Sequence, residues 1–581
     1  MAYQLTPARN RKFLLVLWIA LYASFALLVP PLLDGPDARN AEVAREIIAR
    51  HDWVSLYANG IHLAGEAPML YWAIAGSMWL FGIGTIAAHV SSAVVALLLF
   101  LITEHVARHA FRSIRVGAYV SILLLLSFGL FVFTRILIPE AIASLWLTAA
   151  TYFFWQTEQQ GERPGYLQAL GFGAACALNT LTIGPMGAML PLCIVLLYLL
   201  LTRGFIGSLR RVSQLHLITA LVASLVVAVP WYYAVDQANA KLGLSLIGSM
   251  HGTAWFGFLK AHLKLTHSGM PALWLCLLVA VSMMPWAVFL GHAMQAVPWR
   301  VFRGRREALQ AEQKTVLLLS LAAALSVVFG LYSTRHAYEV LPSLPFFAML
   351  IGRWLDLEAS EIEAETIPSP LGAAGQRIST VLLAWGGVVG LAWIFVPLRM
   401  YAACFSRLLG WHAVAMNSLH GPMQLMVVTS VGGTFAAWWL RRNYRPHHAN
   451  IVLAAAMVLF LTATHKCLQA LEPVLSSERL VQLIQPKLKQ DDLIVIHGNY
   501  EAASSLAFYL QRENLHLWHS NDTSLPLRLM ETDQTMRMRW NGVQRVYVWT
   551  ETGALPPLPG KVYVIAESGN KQIVSNRDTV Y

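Results

Sequence analysis

"LLDGPDARNAEVAREIIARHDWVSLYANGIHLAGEAPMLYW", Leu32 to Trp72, interrupts a chain that is otherwise strongly apolar. Gly35-Pro36-Asp37 is a helix start, with Asp37 as the N-cap. Ala38 to Arg50 follows with Ala41, Ala44, Ile47 and Ile48 on one face. Glu42 and Arg45, then Glu46 and Arg50, stand at pairing distance elsewhere on the helix. Such a helix lies along a membrane surface with its apolar face down. "HDWVSLYANGIHL" (51–63) then reads as a loop rich in interfacial aromatics, and "APMLYWAIAGSMWLFG" (67–82) as a second interfacial or re-entrant helix.

The rest of the chain supplies the membrane. Hydrophobic residues make up 57% of 581 and charged ones 13%, with mean hydropathy +0.54. That composition excludes a soluble globular protein. Apolar runs of roughly 18–22 residues recur from Phe13 to Leu471, the length that crosses a bilayer. They predict a polytopic α-helical membrane protein of about 13 spans, because only helices satisfy every backbone polar group within one segment. The spans fall near 13–33, 84–107, 115–134, 138–157, 165–182, 184–202, 215–235, 272–294, 315–333, 342–357, 379–398, 422–440 and 450–470.

The net charge of +11 arises from clusters between the runs, not from one basic domain. Arg9, Arg11 and Lys12, Arg108, Arg112 and Arg115, Arg203, Arg210 and Arg211, Arg300, Arg303, Arg305 and Arg306, and Arg441, Arg442 and Arg445 all fall on one side. By the positive-inside rule that side is the cytoplasm and holds the N-terminus. Basicity therefore reports topology, and no nucleic-acid partner is expected. The outer face then receives 34–83, the turn at 135–140, 236–271, 333–341 and 399–421. The five cysteines show no ligand spacing and read as small hydrophobes. No cleavable signal peptide is expected at the N-terminus.

Residues 1–471 read as the transmembrane domain and 472–581 as a soluble outer α/β domain. "DDLIVIHG" (491–498) is a buried strand and "EAASSLAFYLQR" (501–512) a helix. "QRVYVWTE" (544–551) and "GKVYVIAESGNKQIVSN" (560–576) are further strands, the last a hairpin about Gly569-Asn570.

Three charged outer segments call for a site rather than mere solvation. They are the Asp37 helix, "FTRILIPEA" with Arg135 and Glu140, and "STRHAYEVLPSLP" with Arg335, His336, Tyr338 and Glu339. No nucleotide reaches that face, whereas a lipid-phosphate-linked sugar does. Moving such a sugar needs a carboxylate to deprotonate the acceptor hydroxyl and a cation on the leaving phosphate. Asp37 supported by Glu140 fits the first need and Arg335 the second. One displacement with one base inverts the sugar carbon.

These motifs resemble those of the C-class integral-membrane glycosyltransferases, which include protein mannosyltransferase-like enzymes. Within them the likeness is to the bacterial group similar to the 4-amino-4-deoxy-L-arabinose transferase of lipid A. It rests on Asp37 through Ile47, His51-Asp52-Trp53, Asn59-Gly60, Gly65 through Trp72, "TRILIPEA" (134–141), "VPWYY" (229–233), "STRHAYEVLPSLP" (333–345) and the tail from Asp491. The resemblance implies an undecaprenyl-phosphate sugar donor, a lipid A, glycolipid or protein acceptor, and a bacterial inner-membrane enzyme with its C-terminal domain in the periplasm. It makes Asp37 and Glu140 the catalytic candidates. Arg335, Arg39, Glu66, Tyr71, Arg135 and Tyr338 become the substrate-binding candidates, with no metal ligands assigned and no cofactor required. Two positions depart from the pattern. Relatives carry Glu-Lys where this chain has Gly65-Glu66, and Leu-Thr-Lys-Gly where it has Leu181-Thr182-Ile183-Gly184. Two cations beside an anionic substrate are thus absent, and Glu66 adds an acid that calls for a divalent cation or a cationic sugar. The departures also motivate a second reading, a binding or regulatory protein on an enzyme's fold. A transporter is a third, with no internal repeat to support it.

Overall fold

The computed structural model describes residues 7–24, 31–63, 66–161, 165–241, 272–304, 309–333, 336–364, 370–395, 416–521 and 527–578. Arg335, Gly65, Arg305 and Arg306 lie outside these residues, as do 242–271 and 396–415, most of two expected outer loops.

The apolar runs expected to span are helical over most of their described residues. Among the described residues, nine helices are long and apolar enough to cross a membrane, or ten when one bent pair counts as a span, beside the thirteen expected over the whole chain. Residues 25–30 of the first expected run lie outside the described residues, and two other runs are interrupted. The run 115–134 is broken into Ile114–Leu125 and Phe128–Phe133. There the Phe128 N–H donates to the Met284 carbonyl at 3.3 Å instead of continuing a helix. The run 272–294 bends by 117° between Ser282 and Trp286, next to Pro285, which lacks a backbone donor. Run length cannot register either break, because both halves are equally apolar.

The bundle core contains fully buried Leu99, Val120, Leu124, Leu147, Phe346 and Ile351. Buried hydroxyls return their protons to the preceding helical turn, as Thr103 does to Leu99 (2.6 Å) and Thr148 to Ser144 (2.7 Å). That local pairing satisfies a hydroxyl without water. One end of the bundle collects paired cations: Arg115 with Asp356 and Glu363, Arg203 and Arg211 with Glu158, Arg353 with Glu312, and Arg441 with Glu358. The opposite end carries α1 (Pro36–Arg50) and α2 (Met69–Phe81), the two helices expected outside the first span. Gly35, not Asp37, is the N-cap of α1; Pro36 occupies the first helical position and Asp37 the second.

α1 is buried along most of its length, so it is an internal strut and not a float on a membrane surface. Its lower partners are α2 and the turn before α3 (Pro139–Gln159). Above it sits a six-stranded sheet, in spatial order β3-β2-β1-β4-β6-β5. The strands are β1 Leu493–His497, β2 His516–Trp518, β3 Met530–Glu531, β4 Val546–Glu551, β5 Tyr563–Ser568 and β6 Lys571–Ser575. β1 pairs in parallel with β2 and β4, while β6 pairs antiparallel with β4 and β5. A parallel central strand is covered on both faces, which explains the unbroken apolar run of "LIVI". The fully buried Leu480, Ile496 and Leu506 join it to the helices on one face, each burial contributing about 1.5–3 kcal/mol.

Candidate active site

The clamp between the sheet and the bundle positions the site. Asp34 accepts from the Ser505 N–H (2.8 Å) and hydroxyl (2.6 Å) and from Lys571 Nζ (2.6 Å). Asn59 donates to the Leu515 carbonyl (3.0 Å) and accepts from the Leu515 N–H (2.7 Å). Two segments more than 450 residues apart in sequence are thereby fixed to each other.

Below that clamp lies a cavity of about 470 Å³. Its walls come from the start of α1 (Pro36, Arg39, Asn40), the entry to α2 (Glu66, Ala67, Leu70, Tyr71) and the start of α3 (Ile138, Pro139, Glu140). The end of α4 (Tyr166–Ile183) adds Thr182 and Ile183, and the turn after it Gly184. A 3-10 segment (Ala337–Ser343) adds Tyr338 and Glu339, and the C-terminal domain adds Glu501. Gly184 has φ 73°, a left-handed conformation that lets the chain turn tightly at the wall.

Arg39 and Glu66 form the polar centre, with Nη2 to Oε1 at 2.6 Å and about a quarter and a third of the side chains exposed. The second Glu66 oxygen accepts from the Tyr71 hydroxyl. Burial first, and then the Glu66 carboxylate, push the Tyr71 hydroxyl well above its ordinary pKa, so it remains a donor. Carboxylate neighbours outweigh burial at Arg39 and hold it charged. Asn40 Nδ2 donates to the Leu137 carbonyl at 2.7 Å, tying α1 to the turn before Glu140. Glu140 follows Pro139 in the first turn of α3, where the helix dipole favours a carboxylate. Tyr338 stacks on His336 with centroids 4.9 Å apart and meets the edge of Phe133.

The structure thus brings together Arg39, Glu66, Tyr71, Glu140 and Tyr338 of the sequence candidates. Two others stand behind the wall. Asp37 is 1% exposed; its carboxylate accepts from the Leu33 and Leu137 N–H groups, both at 2.9 Å, with His89 Nε2 at 3.7 Å. Burial pushes its carboxyl up, opposed by His89 and the two N–H groups. Arg135 donates to the carbonyls of Phe131 (2.6 Å) and Leu21 (2.8 Å) and lies over the Phe131 ring. Arg335 lies outside the described residues, next in sequence to the cavity-lining His336. Glu66 and Ile183, the two departures from the pattern, both line the cavity. The sequence reading missed Asn40 and Glu501 as site residues. Asn40 carried a signal, one residue from Arg39 on a charged helix; Glu501 carried none, because it is distant in sequence.

A profile for the family described as dolichyl-phosphate-mannose-protein mannosyltransferase matches residues 47–243. The undecaprenyl phosphate-alpha-4-amino-4-deoxy-L-arabinose arabinosyl transferase of Edwardsiella ictaluri is 23% identical over 86% of this chain and 85% of its own length. The protein of that name from Pseudomonas aeruginosa strain UCBPP-PA14 is 25% identical over 86% and 85%. The crystal structure of ArnT from Cupriavidus metallidurans bound to undecaprenyl phosphate superposes with a TM-score of 0.74 at 21% identity, covering 98% of this chain and 97% of that one. Its apo state gives 0.73 at 22%. The two proteins share a fold: a multi-pass helical membrane bundle carrying a small sheet.

Proposed function

We propose that this chain is a glycosyltransferase that moves a sugar from undecaprenyl phosphate to a lipid A-type acceptor at the outer face of the bacterial inner membrane. The observation that carries the reading is the cavity where Arg39, Glu66, Tyr71 and Glu140 meet, at the end of the bundle opposite its paired cations. Similarity along most of the chain to arabinosyl transferases that use such a donor supports it. The positive-inside pattern favours a cytoplasmic N-terminus and a periplasmic C-terminal domain. A pentose is the favoured sugar, by the names of the relatives.

In this reading Arg39 faces the donor phosphate, held in place by Glu66 and Tyr71, with Arg335 kept as the second cation by its sequence position. Charge that develops on the leaving phosphate is stabilised by such donors, each typically worth about 3–4 kcal/mol. A carboxylate takes the proton of the acceptor hydroxyl as its oxygen attacks the anomeric carbon. The bond from that carbon to the phosphate oxygen breaks, undecaprenyl phosphate leaves, and the sugar inverts. Glu140 is the favoured base, because Arg39 and Tyr71 already occupy the two oxygens of Glu66. Asp37, with both oxygens on backbone N–H groups, is assigned to positioning: it ties the start of α1 to the turn before Glu140. Arg39 and Tyr71 would have to release the Glu66 oxygens for that carboxylate to hold a divalent cation.

The test is transfer by the full-length protein in proteoliposomes, supplied with undecaprenyl-phosphate 4-amino-4-deoxy-L-arabinose and lipid A and read by mass spectrometry. Wild type adds one sugar mass, and Glu140→Gln loses about 100-fold in kcat. A wild type that transfers nothing overturns the reading in favour of a binding or regulatory protein. A fully active Glu140→Gln moves the base elsewhere, with Asp37 the next residue to test.

A further inference from the structure

Glu501 reaches the cavity from outside the helical bundle. It stands in the 3-10 turn Tyr500–Ala503, immediately before α5 (Ser504–Leu510) of the C-terminal domain. That turn is fixed relative to α1. The Ser504 hydroxyl accepts from the Gly35 N–H (2.9 Å) and donates to the Gly35 carbonyl (3.1 Å), at the N-cap of the helix that carries Arg39. Ser505 and Lys571 hold Asp34 one residue earlier. Glu501 is therefore placed by both domains at once, and it is exposed and lines the cavity.

The charge balance of the cavity is informative. Its described lining holds one arginine, Arg39, against four glutamates, Glu66, Glu140, Glu339 and Glu501. Arg39 is engaged by Glu66. Among the described residues, the Glu501 carboxylate makes no hydrogen bond or ion pair of its own, although it acts electrostatically on Arg39 and Tyr338. A carboxylate with no partner of its own, set in the wall of a cavity for a phosphate-linked donor, favours a ligand that carries a cation as well as its phosphate. A donor with an amine on the sugar brings one, some distance from its phosphate.

We propose that Glu501 is a specificity-determining residue for an amino sugar: its carboxylate receives the protonated amine of the donor, so the C-terminal domain completes the donor site. The inference rests on the glycosyl-transfer reading above and adds to it a residue and a domain. Nothing covalent is asked of Glu501; it selects by a charge-assisted hydrogen bond.

The test uses the full-length protein in nanodiscs and two undecaprenyl-phosphate donors, one carrying 4-amino-4-deoxy-L-arabinose and the other L-arabinose. The quantity is the ratio of kcat/KM for the amine donor to that for the hydroxyl donor. Glu501→Gln is expected to lower this ratio by about 10- to 100-fold, mainly through KM, and Glu501→Asp to recover part of it. A ratio unchanged in Glu501→Gln, or equal losses on both donors, overturns the proposal, the latter by showing a structural role. Native mass spectrometry of donor binding to wild type keeps the test independent of how the variant folds. Equal binding of the two donors also overturns it. A wild type that binds the amine donor more tightly but transfers neither sugar retains the recognition role and refutes the transfer reading instead.

Discussion

The two faces of α1 use the same residue types to opposite ends. On the face under the sheet, Arg45 grips Glu42 with two parallel bonds (2.7 and 2.6 Å), with 5% and 0% of the residues exposed. Next to them Glu46 accepts from the Gly60 N–H (2.9 Å) and from Arg50 (3.0 Å), and Arg50 goes on to Glu513 and the Tyr57 ring. The carboxylates of that face are closed in by protein donors. On the face toward the bundle, Arg39 makes one contact to a carboxylate 27 residues away and remains partly open to a cavity. Closure separates scaffold from site: a buried pair with both carboxylate oxygens met by protein donors stiffens the helix, while a half-open pair leaves room for a ligand's charges.

The largest effect that breaks or sharpens this contrast is on the closed face. Arg45→Met leaves Glu42 buried without its partner and is expected to destabilise the protein by about 3–5 kcal/mol, measured as a loss of unfolding midpoint in detergent. The double variant Glu42→Gln/Arg45→Met should regain much of it. On the open face, Arg39→Gln is expected to lower kcat/KM by about 100-fold, roughly 2.7 kcal/mol, with a midpoint close to wild type. If the two variants exchange phenotypes, the division of the helix is wrong. Asp37→Asn comes next. An amide offers one acceptor oxygen where two N–H groups need partners, so a loss of about 1–3 kcal/mol in stability is expected, read by the same unfolding assay. A full midpoint combined with abolished transfer would return Asp37 to the catalytic role.

The smallest effect is on pH dependence. Burial, opposed by Arg45, pushes the Glu42 carboxyl from its ordinary 4.5 up to about 7. A carboxyl raised in the folded state costs nothing while both states are protonated and most when both are ionised. Its contribution to stability therefore falls as pH rises from about 4.5 to about 7 and is level above that. Midpoints taken at about pH 5 and about pH 7.5 should differ less in Glu42→Gln than in wild type.

The sequence made the closed face legible and the open face only partly so. Glu42/Arg45 and Glu46/Arg50 stand at helical pairing distance, so periodicity alone finds them. The helical bundle is legible for the same reason, since a run of apolar residues states its own length. Arg39 and Glu66 pair across a loop, and Glu501 arrives from the other domain, so neither follows from local spacing. Asp37 misleads for a different reason. A short acid after Gly-Pro reads as a cap or a base, and only the position of the Leu137 N–H, 100 residues on, shows its carboxylate occupied. The resemblance to known glycosyltransferases identified the cavity-lining segments, while which side chains face inward depended on packing.

The central claim is that the cavity beside Arg39 holds the lipid-phosphate donor. Its most direct test is photo-crosslinking of the full-length protein in nanodiscs with undecaprenyl phosphate carrying a diazirine near the phosphate, followed by peptide mass spectrometry. The account predicts labels on the entry to α2 at Leu70–Tyr71, on Ile138–Glu140 and near Tyr338, all competed away by unlabelled undecaprenyl phosphate and weakened by Arg39→Gln. Competed labels confined to the sheet domain or to the end of the bundle that carries Arg115, Arg211 and Arg441 would contradict it.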